Sequence, residues 1–181
     1  MPNTYTLIAS STVGAGGTSN ITFSAIPATY TDLKIVASTR VTDAGEGSNP
    51  PISRGEVTFN VSGGNYTVKM LYGLPNQSPS ANSAGGGPGT RSFYAGSSVG
   101  SLAGAGVFSS FEFYIPNYTS SNNKPISIDD VTENNAVATT LDITSITWDG
   151  TAAITSIKLN PYNLGNFAQY STAYLYGIKN S

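Results

Sequence analysis

The 181-residue chain contains no cysteine and no histidine. Without cysteine there are no disulfides, no thiolate nucleophile, no iron–sulfur cluster and no Cys-ligated zinc, and cysteine usage says nothing about redox compartment. Without histidine there is no Ser-His-Asp or Cys-His catalysis, no imidazole metal ligand and no side chain that ordinarily titrates near neutrality. What is left is carboxylate, lysine or tyrosine chemistry. Charge is scarce as well: 10% of residues are Asp, Glu, Lys or Arg and the net charge is −2, where soluble domains carry about 25% charged residues. The eight basic residues lie singly along the chain, which argues against nucleic acid and against an anionic membrane surface as partners. No stretch approaches the roughly 18 apolar residues of a membrane-spanning helix. The first residues lack the basic and apolar regions of a signal peptide, so the expectation is a soluble chain not exported by a cleaved signal.

Helical periodicity is nowhere sustained. Short β-branched segments bounded by Gly, Pro, Asn and Asp predict strands over residues 4–9, 20–23, 32–40, 56–61, 66–72, 107–115, 125–131, 139–148, 153–159 and 171–179. About nine or ten strands in a chain of this length fit an all-β, jelly-roll-like antiparallel β-sandwich forming a single domain over residues 1–181. In the 139–148 segment, Leu141, Ile143 and Ile146 mark an apolar face and Asp142, Thr144 and Thr147 a polar one, with a phase slip near Ser145 that reads as a bulge. Asp149-Gly150 reads as a tight type I′ hairpin turn joining that strand to 153–159. Residues 75–106, rich in Gly, Ser and Pro, read as one long loop or an arm ordered by a neighbouring subunit.

The constellations that carry chemistry elsewhere are weak here. Asp129, Asp130 and Glu133 form an acidic cluster, but without EF-hand spacing it reads as a solvated strand end rather than a metal site. A glycosidase-type carboxylate pair would need two acids on facing elements, and Glu56, Glu112 or Asp142 would supply them only by accident. The glycine runs at 14–17 and 85–89 lack the Lys-Ser/Thr of a phosphate-binding loop and read as turns. Asn-x-Ser/Thr sequons such as those at Asn20, Asn60, Asn65 and Asn117 are what chance provides in a chain so rich in Ser and Thr. Aromatic residues make up 10% of the chain, and loop tyrosines such as Tyr118 and Tyr162 are candidates to stack on a sugar or to bury into a partner, although core and rim packing is the ordinary use of such rings. No catalytic residue, metal ligand or cofactor is expected.

Several stretches resemble small virion structural proteins of tailed bacteriophages, especially those of marine and cyanobacterial hosts. They are Tyr-Thr-Leu-Ile-Ala-Ser-Ser-Thr-Val-Gly at 5–14, Ile-Thr-Phe-Ser-Ala-Ile-Pro-Ala-Thr-Tyr-Thr-Asp-Leu at 21–33, Phe-Tyr-Ile-Pro-Asn-Tyr-Thr-Ser-Ser-Asn-Asn-Lys at 113–124, Val-Thr-Glu-Asn-Asn at 131–135 and Tyr-Ser-Thr-Ala-Tyr-Leu-Tyr-Gly-Ile-Lys at 170–179. The resemblance implies a non-enzymatic structural protein of the virion, most readily a capsid decoration or cement protein. It would pack with its own copies, as a homotrimer, and against the major capsid protein or another virion protein. The alternative is a tail-fibre or receptor-binding module recognising host surface glycan. Low charge limits repulsion between closely packed copies, and exposed strand edges offer a means of assembly.

Overall fold

A computed structural model describes residues 4–45, 51–60, 64–75, 77–85, 92–136, 138–162 and 165–179. These residues form an antiparallel, jelly-roll-like β-sandwich of twelve strands and no α-helix. In chain order the strands are β1 (Tyr5–Thr12), β2 (Ile21–Phe23), β3 (Asp32–Thr39), β4 (Ile52–Phe59), β5 (Tyr66–Gly73), β6 (Ser80–Gly85), β7 (Ser92–Val99), β8 (Ser109–Ile115), β9 (Lys124–Glu133), β10 (Thr139–Trp148), β11 (Ile157–Pro161) and β12 (Thr172–Ile178). The large sheet runs β1-β12-β3-β8-β9-β10-β5-β6 and the small one β2-β11-β4-β7.

The ten expected strands all have counterparts; two more lie where a single long loop was expected. Within 75–106, β6 extends the large sheet beyond β5 and β7 completes the small sheet beside β4. Their sequences, Ser-Ala-Asn-Ser-Ala-Gly and Ser-Phe-Tyr-Ala-Gly-Ser-Ser-Val, carry little of the alternation that marks a strand. Close approach explains the small residues of β7. Gly96 sits at φ 77°, and a Cβ there would lie 2.8 Å from the Phe111 ring; a Cβ on Gly55 of β4 would lie 2.4 Å from the Ala95 carbonyl oxygen. The β4–β7 register shifts at this point, which is where positive φ at Tyr94 and Gly96 kinks the strand. Of the glycine run at 85–89, positions 86–89 lie outside the described residues.

Asp149-Gly150 is not a hairpin. Strand β10 pairs with β9 and β5, while β11 lies in the other sheet between β2 and β4, so the chain crosses between layers after Trp148. Gly150 does not take the positive φ that the turn would need. The Asp149 carboxylate instead accepts hydrogen bonds from the Asn65 backbone N–H and from Asn65 Nδ2, both at 2.6 Å, which ties the end of β10 to the start of β5. A second clamp holds the crossing chain to β4. Asn60, at φ 54°, donates from Nδ2 to the Ala153 carbonyl at 2.7 Å and accepts from the backbone N–H of Thr155 at 2.7 Å. Asparagine tolerates this left-handed conformation because its short amide bonds locally.

The core is apolar at one end of the sandwich. Trp148 packs against Phe59 with ring centroids 5.4 Å apart, Phe59 against Tyr66 at 6.0 Å, and Ile126, Ile128, Ile146 and Phe113 continue the contact across the large sheet. Even Lys124 is buried here: its ammonium donates to the carbonyls of Asn122 at 2.6 Å, Ser120 at 2.8 Å and Gly150 at 3.2 Å, and stands 5.8 Å from the Trp148 ring. Truncating a fully packed indole loses both transfer free energy and contacts around the cavity. Trp148→Ala is therefore expected to destabilise the fold by about 3–5 kcal/mol in chemical denaturation; a loss under about 1 kcal/mol would contradict this packing.

Candidate functional site: an inverted strand segment

Strand β10 alternates without interruption. Ten residues pair continuously with β9 and eight with β5, so there is no bulge at Ser145. In an unbroken strand, even-numbered and odd-numbered side chains go to opposite faces. Burying Ile146 and Trp148 therefore forces Leu141 and Ile143 outward and turns Thr140, Asp142 and Thr144 inward. The expected faces are reversed over residues 141–144, with Ile146 and Thr147 facing as expected: Leu141 and Ile143 are 49% and 53% exposed, while Asp142 is 1% exposed.

The outward half of the inversion builds an apolar strip on the solvent face of the large sheet. Ile143 stands directly opposite Leu71 of β5, and Leu141 opposite Val131 of β9. Leu71 and Val131 are 59% and 46% exposed. A shallow open groove of about 130 Å³ runs along the strip, lined by Leu71, Tyr72, Gly73, Pro79, Leu141 and Ile143. Strand β6 borders it as the edge of the sheet. The same face carries an aromatic end, where Tyr5, Leu7, Tyr114 and Tyr174 stand exposed on β1, β8 and β12. Between the two ends lie the Lys34–Glu112 ion pair, at 2.7 Å, and Asp129, opposite Glu112. Scattered exposed apolar residues need no explanation; here four adjoin one another across β5, β10 and β9.

The inward half builds a polar end to the core. Thr39, Ser109, Thr132 and Thr140 occupy one cross-strand row over β3, β8, β9 and β10. Ser109 and Thr132 share a hydrogen bond at 2.8 Å, and Thr39 reaches across the sandwich to Ser98 at 2.7 Å. The adjacent row brings Phe111, Asp130, Asp142 and Tyr72 side by side. Asp130 was expected at a solvated strand end with Asp129 and Glu133. Strand alternation instead separates the three, leaving Asp129 and Glu133 exposed and Asp130 only 3% exposed, directly opposite Asp142.

One cation faces this acid pair. Arg54 of β4 extends from the small sheet and donates through Nη1 to Asp142 Oδ2 at 2.8 Å, and the Ser97 hydroxyl donates to the same oxygen at 3.0 Å. The guanidinium lies 5.1 Å from the Tyr94 ring centroid and 5.7 Å from that of Tyr72, a flat cation between aromatic rings. Asp130 Oδ1, Asp142 Oδ1, Thr140 Oγ1 and Thr144 Oγ1 have no hydrogen-bond partner among the described residues. Burial, and then the neighbouring Asp142 charge, push the Asp130 carboxyl up to about 8, against the opposing pull of Arg54 and Ser97. Among the described residues no group of three or more acids converges on a point where a metal ion would bind.

The tyrosines singled out in the sequence are placed differently. Tyr118 is fully buried, with its hydroxyl donating to the Pro27 carbonyl and its own carbonyl accepting from Ile154 N–H at 3.0 Å. Its ring is a core element and presents no face to a sugar. Tyr162 is half-buried beside β11. The residues that sequence reasoning missed, Arg54 and the outward Leu71, Val131, Leu141 and Ile143, meet only through sheet register and sandwich closure. Comparison with protein-family models, curated proteins and solved structures returned no match.

Among the described residues Arg54 is the one cation that contacts the pair, and its removal strands the Asp142 carboxylate. Arg54→Met is expected to cost about 3–5 kcal/mol of stability at neutral pH, the penalty for stranding a buried charge. Denaturation of the variant measures it, and a neutral outcome would show that Arg54 does not neutralise this pair.

Proposed function

We propose that this protein is a non-enzymatic structural protein of a bacteriophage virion, a decoration or cement protein of the outer shell that works by packing against neighbouring copies of itself. The observation that carries the reading is the apolar strip of Leu71, Val131, Leu141 and Ile143 on the solvent face of the large sheet. Burying such a strip contributes about 25 cal/mol per Å² of apolar surface, less the cost of ordering the partners. Individual contacts of this size are weak, and symmetry with high copy number makes them sufficient. The sequence resemblance to small virion proteins supplies the setting, and the low overall charge suits copies packed side by side. In this reading the copies are trimers attached to the major capsid protein.

Both strip residues of β10 point to solvent, so charging them should spare the fold. Leu141→Lys together with Ile143→Lys is expected to leave the thermal transition nearly unchanged while weakening self-association at least tenfold in sedimentation or mass photometry, since about 1.4 kcal/mol of lost burial is tenfold in affinity. Association equal to the unsubstituted chain would remove the strip from the account. On purified particles, gel densitometry should count many copies in a multiple set by shell symmetry. A handful confined to the tail would overturn the decoration reading.

The aromatic end of the same face favours a second reading, a tail-fibre or receptor-binding module that grips host glycan. Tyr114 and Tyr174 stand exposed there, close to the Lys34–Glu112 pair. Glycan-array binding that disappears with Tyr114→Ala would support it, and silence across host surface polysaccharides would dismiss it.

A further inference from the structure

We propose that Asp130 keeps its proton at neutral pH beside the Asp142–Arg54 ion pair, closing the polar end of the sandwich without a second buried charge. The geometry leads there without any special assumption. The two carboxyls occupy directly opposed positions on β9 and β10, both on the buried face, and both are nearly inaccessible to water. Two carboxyls so placed cannot both ionise cheaply, and a proton kept by one of them relieves the repulsion. The described strands packed against the pair contribute few charged groups. Strand β4 supplies Arg54 to Asp142, β7 supplies the Ser97 hydroxyl, β8 presents Phe111 and β5 presents Met70 and Tyr72, while Asp129 lies on the opposite face of β9.

The charge balance then closes. One arginine offsets one carboxylate, and the second acid stays neutral by keeping its proton. A metal ion is the poorer occupant, because the Arg54 guanidinium already stands at Asp142 Oδ2. The Oδ1 atoms of both acids have no hydrogen-bond partner among the described residues.

The direction of the pH effect follows from linkage. Burial and the Asp142 charge raise the Asp130 carboxyl from its ordinary 3.8 to about 8, so between those values the folded chain binds more protons than the unfolded one. Stability therefore declines as pH rises through that window and levels off above it. Asp142 stands between Leu141 and Ile143, and Val131 follows Asp130, so repulsion that parts β9 from β10 also displaces the exposed strip.

Carboxyl-selective carbon NMR on the intact chain tests the proposal. The unsubstituted protein should show one buried Asp carboxyl still protonated at pH 6 and titrating between about pH 7 and 9. Asp130→Asn, which keeps the shape and offers an amide hydrogen to Asp142, should abolish that step and flatten the fall of melting temperature with pH. Two buried carboxyls already ionised at pH 6 in the unsubstituted protein would overturn the proposal, whether or not the variant folds. A late step that survives in a folded Asp130→Asn variant would do the same.

Discussion

Strand β10 is continuous, and its far end must be buried. Ile146 and Trp148 fill the apolar end of the core against Phe59, Tyr66 and Val68, and no bulge intervenes before Thr140. Because a strand has a period of two, that requirement decides the facing of every other residue in it. A shift by one residue would bury Leu141 and Ile143, but it would also expose the indole and leave Lys124 without its aromatic neighbour. The packing of Trp148 therefore sets both the outer apolar strip and the inner acid pair.

This arrangement divides the sandwich into two ends with different physics. At the Trp148 end, contact is dry and dominated by aromatic and branched side chains. At the other end, the layers meet through hydroxyls, two carboxyls and one arginine, held between β4 and β7 of the small sheet and β8, β9 and β10 of the large one. Buried polar groups seldom add net stability, yet they are costly to leave unpaired, so they constrain which partners can close over them. The glycine at 96 lets β7 of the small sheet come close to Phe111 of the large one at this end, where Arg54 reaches Asp142.

Much of the fold was legible in the sequence, because β-branched residues between turn formers mark a strand whatever its neighbours. Ten segments were found this way, among them β10 with its bounds and β3 to within a residue. Strands β6 and β7 were not, since both are rich in Ala, Gly and Ser and give apolar patterning little to register, and in β7 close approach to Phe111 excludes a larger side chain at Gly96. The facing of residues 140–144 misled for a different reason. Apolar residues are assigned inward by default, and only the tertiary requirement at Ile146 and Trp148 reverses that assignment. Asp149-Gly150 carries the composition of a hairpin turn, but the aspartate is occupied with Asn65 and the chain changes sheets. The pairing of Asp130 with Asp142, and of both with Arg54, depends on strand order and on sandwich closure, neither of which local sequence encodes.

A chain without cysteine invites a direct test of the inversion on which this account rests. Single cysteines placed by Leu141→Cys, Asp142→Cys, Ile143→Cys and Thr144→Cys can be followed by thiol labelling of the native protein, first in dilute solution and then at concentrations where copies associate. The account predicts prompt labelling at 141 and 143, slow labelling at 142 and 144, and protection of 141 and 143 on association. Prompt labelling at 142 and 144, or labelling at 141 and 143 that does not respond to association, would contradict it.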